Sequence, residues 1–558
     1  MDKTDSAPPV DEAFTAFAKR ALEDALENRP DWATALGDHR YDTELPDASP
    51  AALAAWRSAI GRHLDHLGGF EIDALVPENR VDARLLKNAF ERLAYELDEL
   101  REQTWNPMVA NPGRAVYELT ARAFAPAGDR LRSIAGRLAA IPRSLATARA
   151  SLGSMPKVHL ETALSQFAGT SSLIVREIDR LIARSPASRA EIEEVRPGAL
   201  EAIEVHRNWL GGRLAASEHD QSFRDPRIGA ERFTRKLALA LDAESDAGSI
   251  LSRAEADLER VTEEITEAAS RRLSRPRASP GLVRDALNAL SADSPDNETI
   301  LELARSALEA QIAFVKEADV VSTYADSFEV VPMPEIDRGV AVAYCDSPGP
   351  LETADIPTFL AVSPTPAEWT AERTVSFYRE YNRHLVQNLM VHEAMPGHML
   401  QLQHSRRFVG SSPLRAAFRS GSFVEGWAAY SEALMVKLGY PGEADPGALQ
   451  LQQLKMQLRT VLNAIIDAKV HAEGLGEEAA MELMIERGFQ EEGEAAGKWR
   501  RVLLTSTQLS TYFVGYSEVS GLVADLCHRH QDWTLRTLHD QVLSHGSPGV
   551  RHLRTLIQ

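Results

Sequence analysis

The segment VHEAMPGHMLQ, from Val391 to Gln401, places two histidines and a glutamate within seven residues of one another. Imidazole and carboxylate groups are the usual ligands of a hydrolytic zinc ion, which takes three protein ligands and keeps one position open for water. His392 and His398 are therefore candidate ligands. Glu393 is a candidate general base, because a carboxylate beside the metal can accept a proton from water and pass it to the leaving group.

The spacing of the two histidines departs from the zinc-hydrolase pattern, in which the ligands lie four residues apart on one helical face. His392 and His398 are six residues apart. On a straight helix, that spacing would point their side chains about 120° apart. Pro396 interrupts helical hydrogen bonding, and Gly397 can adopt backbone angles closed to other residues. We therefore predict a break that turns both imidazoles to one side. The alternative is an ordinary helix end without a metal.

A third ligand has to come from another helix, and FVEGWAAYSEAL, residues 423–434, supplies two carboxylates in an apolar setting. Glu425 follows His398 by 27 residues and is the candidate ligand. Glu432, seven residues further on, returns to the same helical face. We expect it to form a hydrogen bond to one of the ligands and so to orient it. The competing interpretation of Glu425 is a surface glutamate or a charge at a helix N-terminus.

The motifs HEAMPGH, from His392, and EGWAAYSE, from Glu425, resemble those of the family called domain of unknown function 885. The resemblance extends over nearly the whole chain, through RPDWATALGDHRYD at 29–42, AYCDSPGP at 343–350 and QLSTYFVG at 508–515. It implies a gluzincin-like zinc metallopeptidase, which is mainly α, with long helices around a deep cleft and one small β-sheet. It also implies one zinc ion bound by His392, His398 and Glu425, with Glu393 as the general base.

The resemblance also suggests tyrosines near the metal. Tyr512 is similar in position to the tyrosine that stabilises the oxyanion in such enzymes. Tyr516 is the reserve choice, and the alternative for Tyr512 is a core residue. Where the family usually has two tyrosines, this chain has Tyr344 followed by Cys345. We expect Tyr344 to contact substrate.

Four further polar residues are candidates for roles around the metal. Arg415 and Arg419 precede Glu425 and are candidates for binding a substrate carboxylate, on charge and nearness alone. Asp467 and His471 lie one helical turn apart and share a face. We expect Asp467 to orient a ligand and His471 to contact substrate, and the alternative is an exposed polar face.

The composition excludes several classes of protein. The chain has 558 residues, a formal charge of −20 and two cysteines, Cys345 and Cys527. An acidic surface repels nucleic acid and anionic membranes, and two distant cysteines cannot form a disulfide framework. The polar start MDKTDSAPPVDEAF has no apolar run typical of a secretory signal, and no stretch approaches the roughly 20 apolar residues of a membrane span. We expect a cytoplasmic protein without nucleic-acid or membrane partners.

Apolar residues at helical spacing predict long amphipathic helices, among them 82–103, 126–152 and 247–272. From Val320 to Pro364, β-branched and aromatic residues with several prolines predict a small sheet, and Pro364 to Met395 is expected to be helical again. We place a boundary between an N-terminal helical region, 1–315, which would form one side of the cleft, and a catalytic region, 316–558. One continuous domain is the alternative.

The expected function is zinc-dependent hydrolysis of peptide bonds in oligopeptides, with Glu393 as the base. Two alternatives stay open. One is a metal-dependent hydrolase that acts on an amide or ester of a non-peptide small molecule. The other is a non-catalytic protein that binds peptides on a peptidase scaffold.

Overall fold

The computed structural model describes residues 9–243, 246–334, 342–366, 369–441 and 445–557. It is mainly helical, as predicted, and three short strands within those ranges form one sheet. The helices are α1 (Pro9–Asn28), α2 (Pro30–Leu36), α3 (Pro50–Gly68), α4 (Pro77–Tyr95), α5 (Gly113–Ala121), α6 (Ala127–Ser151), α7 (Lys157–Arg184), α8 (Arg189–Asp220), α9 (Ala230–Leu241), α10 (Ala247–Leu273), α11 (Leu282–Ser291), α12 (Ile300–Glu317), α13 (Ala371–Glu380), α14 (Arg383–Glu393), α15 (His398–Arg407), α16 (Leu414–Ala417), α17 (Gly421–Lys437), α18 (Pro446–Ala468), α19 (Glu477–Glu482), α20 (Glu492–Leu504), α21 (Ser510–Arg529), α22 (Leu535–Leu543) and α23 (Val550–Leu556). The strands are β1 (Phe328–Pro332), β2 (Ala343–Asp346) and β3 (Thr358–Val362).

The chain divides into two compact units. Unit 1 comprises Met1–Pro226, Pro348–Ile356 and Val409–Phe418, and unit 2 comprises Arg227–Ser347, Pro357–Phe408 and Arg419–Gln558. The boundary predicted after residue 315 therefore lies inside unit 2. The change of composition near Val320, on which that prediction rested, marks the approach to the sheet and not the limit of a unit.

The core of unit 1 is formed by amphipathic helices. Leu131, Ile134 and Leu138 recur at helical spacing on α6 and are fully buried, together with Ile203 and Leu210 of α8. Burying each of these side chains stabilises the fold by about 1.5–3 kcal/mol. This periodicity is why the predicted helix 126–152 agrees with α6 to within one residue at each end.

In unit 2, the small sheet and helices α14, α17 and α21 share one core. β3 is the central strand, parallel to β1 and antiparallel to β2. Phe423 and Trp427 of α17 are fully buried in this core, together with Val519 and Leu522 of α21. The predicted sheet is therefore confirmed for the described residues, while residues 335–341 of the predicted region lie outside them.

Two predicted helices have different bounds in the structure. The helix predicted over 82–103 is α4, which begins at Pro77, and its last turn widens into a π-helix that ends at Leu100. The region from Pro364 to Met395 is largely helical, as expected, but it forms two helices, α13 and α14, and residues 367 and 368 lie outside the described residues. The side chain of Asn382 accepts hydrogen bonds from the amides of the two residues after Arg383 and so starts α14 as an N-cap.

None of the described helices is both long enough and apolar enough to cross a bilayer.

One buried histidine in unit 1 is isolated from polar partners. His206 of α8 is fully buried beside Phe167, with ring centroids 4.8 Å apart. Neither of its ring nitrogens has a hydrogen-bond partner among the described residues. Burial lowers the pKa of His206 to about 4 from the usual 6.5, and the charge of Arg149 adds to this effect. The folded protein therefore holds this imidazole in its neutral form near neutral pH.

We expect this histidine to make the protein less stable in acid. Because the folded-state pKa is lowered, the unfolded chain takes up the proton first as pH falls below 6.5, and stability is lost between pH 6.5 and about 4. The loss should reach about 3 kcal/mol. Urea unfolding across this pH range should show a shallower loss for His206→Leu than for the wild type. His219→Gln, at an exposed histidine of the same helix, is the control. Parallel profiles for wild type and His206→Leu would contradict the assignment.

Candidate metal centre

The chain breaks its helix between the two predicted histidine ligands. α14 ends just after His392, and α15 begins at His398. The amide of Gly397 donates to the carbonyl of Val391 at 3.0 Å, which folds the backbone back on the end of α14. A side chain at Gly397 would place its Cβ 1.9 Å from the carbonyl oxygen of His392, so only glycine fits here. The predicted break is confirmed.

Three side chains converge at this break. The Nε2 atoms of His392 and His398 each lie 3.4 Å from Oε2 of Glu425. The two imidazole rings are nearly perpendicular, with centroids 4.7 Å apart. A tetrahedral zinc ion with bonds of about 2.0–2.1 Å keeps its ligand atoms about 3.3 Å apart. The measured separations of 3.4 Å fit such an ion.

The chemistry of the donor atoms also fits a cation. Burial alone would raise the pKa of Glu425, but the imidazoles of His392 and His398 outweigh it and hold the pKa well below its ordinary value. The carboxylate is therefore ionised. Its Oε2 atom is buried without a hydrogen-bond partner among the described residues. Burying a charged oxygen without a donor is costly, and a metal ion at this position would remove that cost.

A second carboxylate orients the first histidine. Oε1 of Glu432 lies 2.7 Å from Nδ1 of His392, and Oε2 accepts a hydrogen bond of 2.6 Å from Asn388. With one proton on Nδ1 facing Glu432, His392 has Nε2 left for either a second proton or a metal ion, which is how carboxylate partners usually orient metal-binding histidines. Burial opposes protonation of His392, but Glu425 and Glu432 outweigh it and raise its pKa well above 6.5. The same carboxylates favour any cation at this position.

Close helix packing fixes the position of α17, which carries Glu425. The indole Nε1 of Trp427 donates to the carbonyl of Pro396 at 2.8 Å, so α17 is tied directly to the break. On its other side, Gly426 packs against Gly515 of α21, where an added Cβ would lie 2.3 Å from the backbone. These contacts explain why the Glu-Gly-Trp sequence is needed around the third candidate ligand.

The predicted base is held by the sheet. Oε2 of Glu393 accepts a hydrogen bond of 3.1 Å from the amide of Cys345 in β2. Burial raises the pKa of Glu393, although the two neighbouring histidines oppose this effect. A carboxylate with a raised pKa takes up a proton more readily than a solvated one, which suits a general base.

Comparison with known proteins places the chain in a family. Residues 30–557 match the family described as bacterial protein of unknown function (DUF885). The chain belongs to this family. No curated protein matches it.

Two solved structures are similar to this DUF885 protein. A candidate lipoprotein of unknown function from Shewanella oneidensis is 28% identical, with a TM-score of 0.82 over 98% of this chain and 99% of that chain. A candidate lipoprotein from Colwellia psychrerythraea is 18% identical, with a TM-score of 0.78 over 98% of each chain, and shares the fold.

The predicted tyrosines have different surroundings in the DUF885 chain. The hydroxyl of Tyr512 accepts hydrogen bonds from Arg501 at 3.1 Å and Gln508 at 3.3 Å, which leaves its own proton to be donated. Tyr516 lies among charges of α10, and burial raises its pKa. Tyr344 is half-buried in β2, next to the residue whose amide holds Glu393.

Arg415 is bound within unit 1. Its guanidinium donates to Asp82 at 2.6 Å and to the carbonyl of Glu78 at 2.8 Å, and it also pairs with the Glu78 carboxylate. The side chain is almost completely buried, and a buried arginine requires such partners. These contacts favour a structural role over the substrate contact that nearness to Glu425 suggested.

Asp467 and His471 are buried, so the exposed polar face offered as their alternative is wrong. Asp467 accepts hydrogen bonds from the amides of Thr507 and Ser510, each at 3.0 Å, and thereby caps the start of α21. Nε2 of His471 donates a hydrogen bond of 2.8 Å to the carbonyl of Val502. Both side chains form hydrogen bonds to backbone groups, and Asp467 thereby positions α21, the helix that carries Tyr512.

The sequence did not indicate two contacts of this site. Asn388, which donates to Glu432, lies four residues before His392 and thus on the same helical face. That spacing was the available signal. The amide of Cys345 gave none, because a backbone contact from a strand depends on the register of the sheet and not on residue type.

We expect Glu432→Gln to weaken zinc binding by roughly 10- to 100-fold, because a neutral amide stabilises the metal-bound imidazole less than a carboxylate does. Competition with a chromophoric chelator measures the dissociation constant. Glu477→Gln, at an exposed glutamate of the same unit, is the matched control and should bind zinc as the wild type does. Equal affinities for the wild type and Glu432→Gln would show that the carboxylate does not support a ligand.

Proposed function

We propose that this protein is a zinc-dependent peptidase with a gluzincin-like centre, in which His392, His398 and Glu425 hold one zinc ion. The observation that carries the proposal is the convergence of these three side chains at separations suited to a tetrahedral ion. Bound by three protein ligands, zinc supplies a Lewis acid and lowers the pKa of a coordinated water to about 7.

In this proposal, Glu393 moves the proton. The hydrogen bond from the amide of Cys345 fixes Oε2 of Glu393, and Oε1 accepts no hydrogen bond from the described residues. Oε1 can therefore take a proton from water and deliver it to the leaving amine. The charges of His392, His398 and Glu425 all act on the Glu393 carboxylate, so it lies near the three candidate ligands.

Tyr512 is the proposed donor to the oxyanion. Its hydroxyl accepts two hydrogen bonds, one of them from the guanidinium of Arg501, so its proton points away from those partners and is polarised by a nearby positive charge. Such a donor stabilises negative charge as it develops on the carbonyl oxygen. The assignment of this role to Tyr512 rests on the family resemblance, and the contacts with Arg501 and Gln508 support it.

The decisive test replaces the base and keeps the ligands. Glu393→Gln should bind zinc with unchanged stoichiometry and lose about 100-fold or more of the rate of peptide cleavage, because the amide cannot accept the proton. Zinc content is measured by elemental analysis. Cleavage is measured by mass spectrometry of a tryptic peptide mixture incubated with each protein. His398→Ala should lose both zinc and cleavage.

The same assays separate the competing functions. Glu473→Gln, at an exposed glutamate, serves as the matched control for the loss of one carboxylate. Cleavage of acyl-amides or esters without any peptide cleavage would identify a small-molecule hydrolase. Absence of stoichiometric zinc, with no uptake when zinc is added, would favour a non-catalytic binding protein over an enzyme. Full activity in Glu393→Gln would show that another group is the base.

A further inference from the structure

The chain between β2 and β3 contains residues that belong to the other unit. Pro348–Ile356 is part of unit 1, although both strands are part of unit 2. We call these residues the connecting segment. The amide of Leu351 donates to the carbonyl of Leu36, the last residue of α2, at 2.7 Å. A Cβ added to Gly349 would overlap the backbone of Leu36, so the connecting segment is packed closely against the end of α2.

One histidine of unit 1 links the connecting segment to a second carboxylate. Nδ1 of His39 lies 2.9 Å from Oδ2 of Asp42, and Nε2 lies 2.9 Å from Oε2 of Glu352 in the connecting segment. The two carboxylate side chains are only 5% and 4% exposed. The imidazole is stacked on the ring of Phe124, with centroids 3.7 Å apart. His39 therefore contacts a nearly buried carboxylate with each of its ring nitrogens.

These two contacts together require a protonated imidazole. An ionised carboxylate only accepts hydrogen bonds, whereas a neutral imidazole has one N–H group and an imidazolium has two. Neutral His39 would therefore turn a nitrogen lone pair toward one of the two carboxylates, and that carboxylate oxygen would lose its donor. An acceptor left without a donor in a buried place is unfavourable. Both contacts are therefore made only by the charged form of His39.

The contact with Glu352 is the one that neutral His39 gives up. Asp42 is fixed beside the ring, since it follows His39 by three residues and its Oδ1 accepts a hydrogen bond of 2.6 Å from Thr34. The remaining proton then lies on Nδ1, toward Asp42, and Nε2 faces Glu352 without one. Oε2 of Glu352 has no other hydrogen-bond partner among the described residues. Loss of the proton therefore breaks the side-chain link between His39 and the connecting segment.

The charged groups around the imidazole favour its charged form. They are three carboxylates and two guanidiniums, those of Asp38, Asp42, Glu352, Arg130 and Arg137. Arg137 lies 4.0 Å from Oδ1 of Asp42, and Arg130 lies 6.0 Å from the centre of the Phe124 ring. Burial lowers the pKa of His39, but the hydrogen bonds with Asp42 and Glu352 outweigh burial and raise the pKa above the usual 6.5. The imidazolium therefore persists above pH 6.5.

We propose that His39 is a proton-controlled switch, which fastens the connecting segment to unit 1 when it is charged and loosens the segment when it is neutral. The hydrogen bond to Glu352 is fully present below pH 6.5 and is lost as pH rises through the raised pKa of His39. The connecting segment begins three residues after Cys345, so the switch acts on the chain that follows β2. None of these groups is a candidate metal ligand or the candidate base, so this inference does not depend on the proposed peptidase function.

Hydrogen exchange of the full-length protein tests the switch. Exchange of the backbone amides in the connecting segment is followed by mass spectrometry from about pH 6 to about pH 9, and each rate is divided by the intrinsic rate at that pH to give a protection factor. The amide of Leu351, which donates to Leu36, is the reporter. In the wild type, protection should fall at least about fivefold as pH rises, which is the size expected for the loss of one hydrogen bond.

Two variants separate the charge of His39 from its packing. His39→Gln is neutral at every pH, so its protection should be as low as that of the wild type at high pH and should not change with pH. Glu352→Gln should be independent of pH for the opposite reason, because neutral His39 can donate to Asp42 and accept from the glutamine amide. Its protection should therefore stay high throughout.

His63→Gln is the matched control, since His63 is a histidine of unit 1 that contacts a single carboxylate, that of Asp24. This variant should keep the wild-type profile. A wild-type protection factor that does not change with pH would overturn the proposal, and so would a wild-type pH dependence that persists in Glu352→Gln. The second outcome decides the question even if His39→Gln does not fold.

Discussion

The centre depends on the absence of a side chain at Gly397. Helical geometry would direct two histidines six residues apart to different sides, and the chain avoids this by folding back on itself, with the amide of Gly397 against the carbonyl of Val391. No Cβ fits in that turn. The indole of Trp427 donates to the turn from α17, so the same local fold that aligns the histidines also sets where Glu425 lies.

The distribution of charge is the second feature that defines the candidate metal centre. Glu425 and Glu432 approach His392 from its two nitrogens, and burial leaves both carboxylates with few other partners. An arrangement with more negative than positive groups, largely shielded from solvent, is unfavourable unless a cation occupies it. The network therefore favours a positive ion at one defined point. The helices around it are held by apolar packing, seen in the fully buried Phe423 and Trp427.

The sequence was sufficient to predict those features of the fold that depend on residues close together in the chain. Periodicity predicted α6 and α10 nearly to the residue, and the Pro-Gly pair predicted the break between His392 and His398. It was insufficient where partners come from distant segments. Arg415 and Arg419 looked equivalent as charges before Glu425, and only the fold shows that Asp82 and Glu78 already bind the first. The division into two units depends on distant partners as well, since the short segments 348–356 and 409–418 join unit 1 through contacts that composition cannot reveal.

The hydrogen bond that holds Glu393 comes from the main chain of β2 and not from a side chain. The side chain at position 345 can therefore change in size or polarity while the hydrogen bond to the Glu393 carboxylate persists, provided that β2 keeps its register with β3. This chain has a cysteine there. Position 345 is thus a place where substitution can change the surroundings of the candidate centre independently of the Glu393 carboxylate itself.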